Sequence, residues 1–284
     1  MEHKIALKNG QMINRLGQGT WYMGENPTIA KSEIDTLKRG IELGINLIDT
    51  AEMYGSGKSE QLISKAISDV SREDLFVVSK VYPHNASQVK LEKSLDNSLK
   101  RLKTDYLDMY LLHWRGSVPL AETVYCMEQQ VEKGKIKSWG VSNFDTEDME
   151  ELLSVENGEN CALNQVLYHL GSRGTEFDLQ AYLKAHNIPM MAYCPLAQAG
   201  RLDRGLFNDP VVCQLAKKYN VSSANILLNF VMFDENVIAI PKASKVAHVE
   251  DNAKALAFKL TVEDMKMLNA KFPAPTYKQY LDIV

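Results

Sequence analysis

Eight short apolar stretches, each followed by a segment with helical spacing, constrain this chain more than any other feature. Residues 16–20 form the first stretch. Residues 31–43 follow with Ile34, Leu37 and Ile41 on one helical face and stop at Gly44. The same alternation continues with strands predicted at 46–48, 75–79, 106–112, 138–141, 162–165, 190–193 and 237–240. Helices are predicted between them at 59–67, 87–102, 120–133, 147–153, 179–185, 211–219 and 224–232, and after the last strand at 246–256 and 262–268, the final one capped by Thr261. Strands this short and apolar on both faces belong to a parallel sheet covered by helices. An open doubly wound sheet predicts Gly-x-Gly-x-x-Gly after its first strand. Here Gly17-x-Gly19 runs into Thr20-Trp21-Tyr22-Met23-Gly24, which breaks that spacing. The reading is a single α/β domain over residues 1–284, a (β/α)8 TIM barrel. A short N-terminal β-hairpin turning tightly at Asn9-Gly10 precedes it, and extra C-terminal helices follow.

Composition excludes several classes. The 284 residues are 45% hydrophobic, enough for one large core. With 32 basic against 36 acidic residues and no basic cluster, no nucleic-acid partner is expected. No apolar run reaches transmembrane length, and Met1-Glu2-His3-Lys4 lacks a signal peptide's apolar core. Cys126, Cys161, Cys194 and Cys213 show no close-spaced pair, so neither a zinc site nor a disulfide framework is indicated. A soluble cytoplasmic protein is expected.

Sites in such a barrel sit at the C-terminal ends of the strands. That rule collects Asp49 after the second barrel strand, Lys80 after the third, His113 after the fourth, and Tyr54 from the loop beyond Asp49. Ser142, Asn143, Gln165 and Tyr193 lie further round. Taken singly, Asp49 reads as a cap, Lys80 as a solvated strand end, Tyr54 as a surface aromatic and His113 as a core histidine. Four such residues at adjacent strand ends are a constellation. A phenol ionises near pH ~10, and a neighbouring ammonium is expected to lower that value. Asp49 would hold Lys80 charged, and His113 could orient a substrate oxygen. This set suits reduction of a carbonyl, with the hydride drawn from a cofactor.

These residues sit in motifs that resemble the aldo-keto reductases, from about Ile13 to about Leu268. The motifs are Leu-Gly-Gln-Gly-Thr-Trp at 16–21, Gly-Ile-Asn-Leu-Ile-Asp-Thr-Ala-Glu-Met-Tyr-Gly at 44–55, and Val-Ser-Lys-Val at 78–81. They continue with Tyr-Leu-Asp-Met-Tyr-Leu-Leu-His-Trp at 106–114, Gly-Lys-Ile-Lys-Ser-Trp-Gly-Val-Ser-Asn-Phe at 134–144, Asn-Gln-Val at 164–166, and Ile-Pro-Lys-Ala-Ser at 240–244. The resemblance implies that Tyr54 is the proton donor of a tetrad with Asp49, Lys80 and His113. It also implies that NADPH binds extended, without a Rossmann loop, and that the protein is a monomer. Ser142, Asn143 and Gln165 would hold the nicotinamide carboxamide, beside Asp49, with Tyr193 stacked on the ring. Gly19, Thr20 and Trp21 would border the cofactor, Leu196 and Gln198 would follow the pyrophosphate, and Lys242, Ser244 and Asn252 would lie near the adenosine.

One departure bears on cofactor choice. Many family members carry an arginine where this chain has His248, and histidine is the weaker anion ligand. Preference for NADPH over NADH then rests more on Lys242, with NADH accepted less well. The loop after His113 is short and the chain ends soon after Phe272. A short, open rim of Trp21, Tyr22, Tyr82 and Trp114, with Tyr54 and His113 below, suits small carbonyl substrates. The closest likeness is to compact bacterial members that reduce methylglyoxal and related 2-oxoaldehydes. Two other readings stand beside this one: a non-enzymatic, cofactor-sensing subunit, and a metal-dependent barrel hydrolase using Asp49 and His113.

Overall fold

The computed structural model describes residues 3–197 and 205–284. β1 (Lys4–Ala6) and β2 (Met12–Asn14) pair antiparallel, Ile5 opposite Ile13. Between the hydrogen-bonded pair Leu7 and Gln11 the turn has three residues, 8–10, rather than two. The Leu7 N–H donates to the Gln11 carbonyl at 2.8 Å, and Gly10 takes φ +83°, a left-handed conformation that suits a three-residue hairpin.

Eight parallel strands follow: β3 (Gly17–Gly19), β4 (Leu47–Asp49), β5 (Phe76–Val81), β6 (Met109–Leu112), β7 (Trp139–Ser142), β8 (Asn164–Leu167), β9 (Met190–Tyr193) and β10 (Val237–Ala239). Each pairs with its neighbour in chain order. Isolated parallel bridges Leu16–Ala239 and Gly19–Lys242 join β3 to the β10 side and close the barrel. At this seam a Cβ on Gly19 would lie 2.7 Å from the Ile240 carbonyl oxygen, so only glycine fits.

The two-residue period of a strand places the site. Leu47, Phe76, Val78, Met109, Leu111, Leu163 and Met191 pack with Leu7 and Ile13 of the hairpin in one cluster inside the barrel. Ile48, Val77, Val81, Tyr110 and Leu112 face the surrounding helices. Two residues beyond Leu47, Val78, Leu111, Leu163 and Met191 come Asp49, Lys80, His113, Gln165 and Tyr193. The polar set therefore sits on top of the apolar barrel filling.

The helices are α1 (Ala30–Glu42), α2 (Lys58–Ala66), α3 (Leu91–Leu102), α4 (Leu120–Glu132), α5 (Thr146–Ser154), α6 (Leu179–Ala185), α7 (Pro210–Tyr219), α8 (Ser223–Val231), α9 (Val246–Ala253) and α10 (Val262–Lys271). None of the described helices is long and apolar enough to cross a membrane. α3 begins four residues later than the apolar spacing suggested. Glu122 accepts the Gln88 N–H at 2.9 Å, residues 87–90 wind as a turn, and Val89 is left 87% exposed. β6 starts at Met109 rather than Tyr106, because the Asp108 carboxylate accepts the Val77 N–H and pairs with Arg72 at 2.7 Å.

The segment beyond α10 corrects the expectation of a short, open rim. It returns to the barrel mouth, where Ser172 donates to Asp282 at 2.6 Å and Lys278 pairs with Glu147 at 2.8 Å. Ile283 and Val284 then line the cavity above the strands.

Candidate active site

A cavity of about 470 Å³ opens at the C-terminal ends of the strands. Asp49, Tyr54, His113, Gln165 and Tyr193 line it, and Lys80 lies behind them, fully buried. Lys80 is the second-last residue of β5, not a residue beyond its end. Its ammonium donates to Asp49 Oδ2 and the Thr50 carbonyl, both at 2.8 Å, and to the Tyr54 hydroxyl at 3.0 Å. Those are all three of its protons. The other Asp49 oxygen accepts from Gln165 Nε2 at 2.7 Å, so both carboxylate oxygens are engaged.

Tyr54 reaches this point through a tight turn. Gly55, Ser56 and Gly57 all adopt positive φ before α2 begins. Thr20 anchors the other side, donating to the Asp49 carbonyl at 2.8 Å and accepting from Ser59 at 2.8 Å.

The electrostatics correct one sequence-based expectation. Tyr54 does not ionise more readily. Burial first, and the Asp49 charge second, push its pKa well above the ordinary value of a phenol. Lys80 is close enough to donate a hydrogen bond, but Asp49 offsets its charge. The hydroxyl therefore stays protonated while carrying a donor that would stabilise phenolate character as the proton leaves. Burial pulls Lys80 itself below its ordinary value, opposed by the charge and hydrogen bond of Asp49. His113 is pushed down to about 2 by burial and by the Lys80 charge, so its ring is neutral at any physiological pH. Its Nδ1 is buried with no hydrogen-bond partner.

Asn143 ties the wall together from a left-handed backbone position, φ +60°. Its amide donates to the His113 carbonyl at 3.1 Å and to Ser142 Oγ at 3.2 Å, and its oxygen accepts from the Tyr193 hydroxyl at 2.8 Å. Gly19, Thr20, Trp21, Ser142 and Lys242 complete much of the lining. A second recess of about 750 Å³ meets the first at Lys242 and contains Leu196, His248 and Asn252.

Some residues stand elsewhere. Ser244 accepts from Ser32 through its carbonyl and lines neither recess. Gln198 lies outside the described residues. Trp21 and Trp114 line the cavity, but Tyr22 stacks behind Trp21 at 4.5 Å and Tyr82 packs edge-on to Trp114 at 5.8 Å. Met53, Arg115, Cys194, Ile240, Ile283 and Val284 line the cavity without having been singled out from the sequence. For Arg115 the signal was available, as the second residue after His113 in the same strand-end loop.

The model of the Aldo/keto reductase family matches residues 15–272. The chain is 49% identical to methylglyoxal reductase YeaE of Escherichia coli over the whole of both chains. It is 34% identical to glyoxal reductase of Bacillus subtilis, over 95% of this chain and 93% of that one. A crystal structure of an aldo/keto reductase from Klebsiella pneumoniae, in complex with NADP and acetate, superposes with a TM-score of 0.97 at 46% identity, covering both chains fully. Family match, full-length relatives and barrel geometry agree: the chain belongs to the aldo/keto reductase family.

Proposed function

We propose that this chain reduces small aldehydes and ketones, 2-oxoaldehydes such as methylglyoxal among them, with NADPH as cofactor and Tyr54 as proton donor. One observation carries the assignment: at the closed end of an apolar cavity, a buried ammonium contacts both a carboxylate and a phenol hydroxyl. The names of the Escherichia coli and Bacillus subtilis relatives and the NADP complex of the Klebsiella protein support the same reading.

The residues present fit a nicotinamide dinucleotide. Ser142, Asn143 and Gln165 offer hydroxyl and amide groups where a carboxamide would lie, and Tyr193 offers an aromatic face. Lys242 stands where the cavity meets the second recess, and His248 and Asn252 line that recess where an adenosine phosphate would sit. Bound there, NADPH supplies the hydride. The chain supplies orientation and the proton. The carbonyl oxygen is received between the Tyr54 hydroxyl and the neutral His113 ring; the two rings stand edge to face with their centroids 5.9 Å apart. As negative charge grows on that oxygen, Tyr54 releases its proton to it, and the hydrogen bond from Lys80 stabilises the phenolate character left behind. An alkoxide is more basic than a phenolate, so even a phenol of raised pKa donates downhill. Metal hydrolysis does not suit the site, since both Asp49 oxygens are engaged by Lys80 and Gln165. The four cysteines are free thiols, which suits a reducing cytoplasm.

The test is the fall in reduced-nicotinamide absorbance with methylglyoxal, using NADPH and then NADH. Aldehyde-dependent oxidation, faster with NADPH, is expected. Tight cofactor binding without oxidation by any small aldehyde would favour a cofactor-sensing subunit instead.

A further inference from the structure

Among the described residues, three formally charged side chains line the cavity. Asp49 is neutralised by Lys80, and Lys242 stands at the junction with the second recess. The third is Arg115, which the reduction chemistry leaves unused. It lies two residues beyond His113 and shares the cavity with Trp114, Ile283 and Val284.

Its guanidinium is half committed. Nη2 donates to Glu151 Oε1 of α5 at 2.7 Å, whereas Nη1 is buried with no hydrogen-bond partner. The carboxylates paired with or acting on Arg115, Glu151 and Asp148, both belong to α5, and among the described residues Asp49 is the only acidic side chain that lines the cavity. A guanidinium keeps its charge and presents a planar fork of donors matched to a carboxylate. A buried donor of a charged group left without an acceptor is costly, and an incoming anion would relieve it. Glu151 is half exposed, and such pairs are weak competitors. The cavity that holds both Arg115 and the reacting centre is walled in part by apolar Trp21, Met53, Trp114 and Ile283, which suits an aliphatic stem.

We infer that Arg115 is an anion subsite for the substrate, so that short oxo acids, carbonyl compounds bearing a carboxylate, are a substrate class of this enzyme. The carbonyl would lie at Tyr54 and His113 and the carboxylate at Arg115. This rests on the reductase reading, and the test separates the two.

The kcat/KM of succinic semialdehyde is compared with that of its methyl ester, in the native protein, Arg115→Gln and Glu151→Gln. In the native protein the acid is expected to be favoured over the ester. Arg115→Gln should lower the acid-to-ester ratio about 10- to 100-fold. Glu151→Gln, which frees the guanidinium, should raise it. Equal ratios in all three proteins, with methylglyoxal still reduced, would overturn the subsite and leave the reductase reading intact. A readout independent of turnover is tryptophan-fluorescence titration with butyrate and butyramide. Butyrate should bind more tightly than butyramide in the native protein and lose that advantage in Arg115→Gln. Equal binding of the two by the native protein would also overturn the subsite.

Discussion

Tyr54 and His113 titrate away from neutrality in opposite directions, and the pH dependence of the reaction follows. With Tyr54 held above the ordinary phenol range and His113 neutral above about 2, neither changes charge near neutral pH. The kcat/KM for aldehyde reduction should be flat from roughly pH 6 to pH 9 and fall only in stronger alkali. Alcohol oxidation needs the phenolate and should rise with pH over the same range. A reductive profile with an inflection near pH ~6.5 that disappears in His113→Gln would contradict the neutral-imidazole assignment. That Asp49, Lys80 and His113 face the barrel mouth was legible in the sequence from strand period, although Lys80 falls inside β5 rather than beyond it. Tyr54 was legible only as a residue of the loop after Asp49. The sign of the Tyr54 shift was not. A sequence places an ammonium beside a phenol but cannot weigh that charge against burial of the ring and the carboxylate on the ammonium's other side. For Arg115 the place beside His113 was legible but the role was not, since an arginine in a loop reads as solvated until the fold shows it lining the cavity.

The helices show where local signals suffice. Thr261 was legible as the cap of α10, and the structure adds a reciprocal capping box in which Thr261 accepts the Asp264 N–H and Asp264 accepts the Thr261 N–H. Asp264 also accepts from Lys218 at 2.7 Å and from Tyr219 at 2.5 Å, joining α10 to α7. Burial pushes its pKa upward, but the hydrogen bonds from Lys218, Tyr219 and Thr261 outweigh it and hold the carboxyl at about 2. A folded-state value below the unfolded one gives stability that is complete above pH ~4 and is lost as pH falls towards 2. Asp264→Ala should destabilise the fold by about 1–3 kcal/mol, measured by urea unfolding at neutral pH. That difference should shrink near pH 2; a cost below about 0.5 kcal/mol at neutral pH would show that the box contributes little. The starts of α3 and β6 were misplaced for a related reason. Glu122 and Asp108 engage backbone N–H groups from distant segments, and single-sequence periodicity carries no trace of such long-range acceptors.

For the molecule as a whole, the barrel was legible because eight strand–helix alternations leave few other ways to bury so many two-faced apolar strands. The covering of its mouth was not. Residues 273–284 have no periodicity, and only the fold shows that Asp282 reaches Ser172 and that Ile283 and Val284 reach the cavity. Deleting residues 277–284 removes apolar contact worth about 1 kcal/mol to a bound aldehyde, so KM should rise roughly fivefold while the barrel still unfolds cooperatively. An unchanged KM would mean that the tail merely rests at the rim. In the proposed reaction Tyr54 delivers the proton from a site in which Lys80 and Asp49 are already ordered. The most direct test of that step is Tyr54→Phe, which keeps the ring and removes only the hydroxyl. NADPH affinity, followed by fluorescence titration, should match that of the native protein, and aldehyde-dependent NADPH oxidation should fall about a hundred- to ten-thousandfold. Oxidation at the native rate with cofactor still bound would rule out Tyr54 as the donor, because the proton would then come from another group.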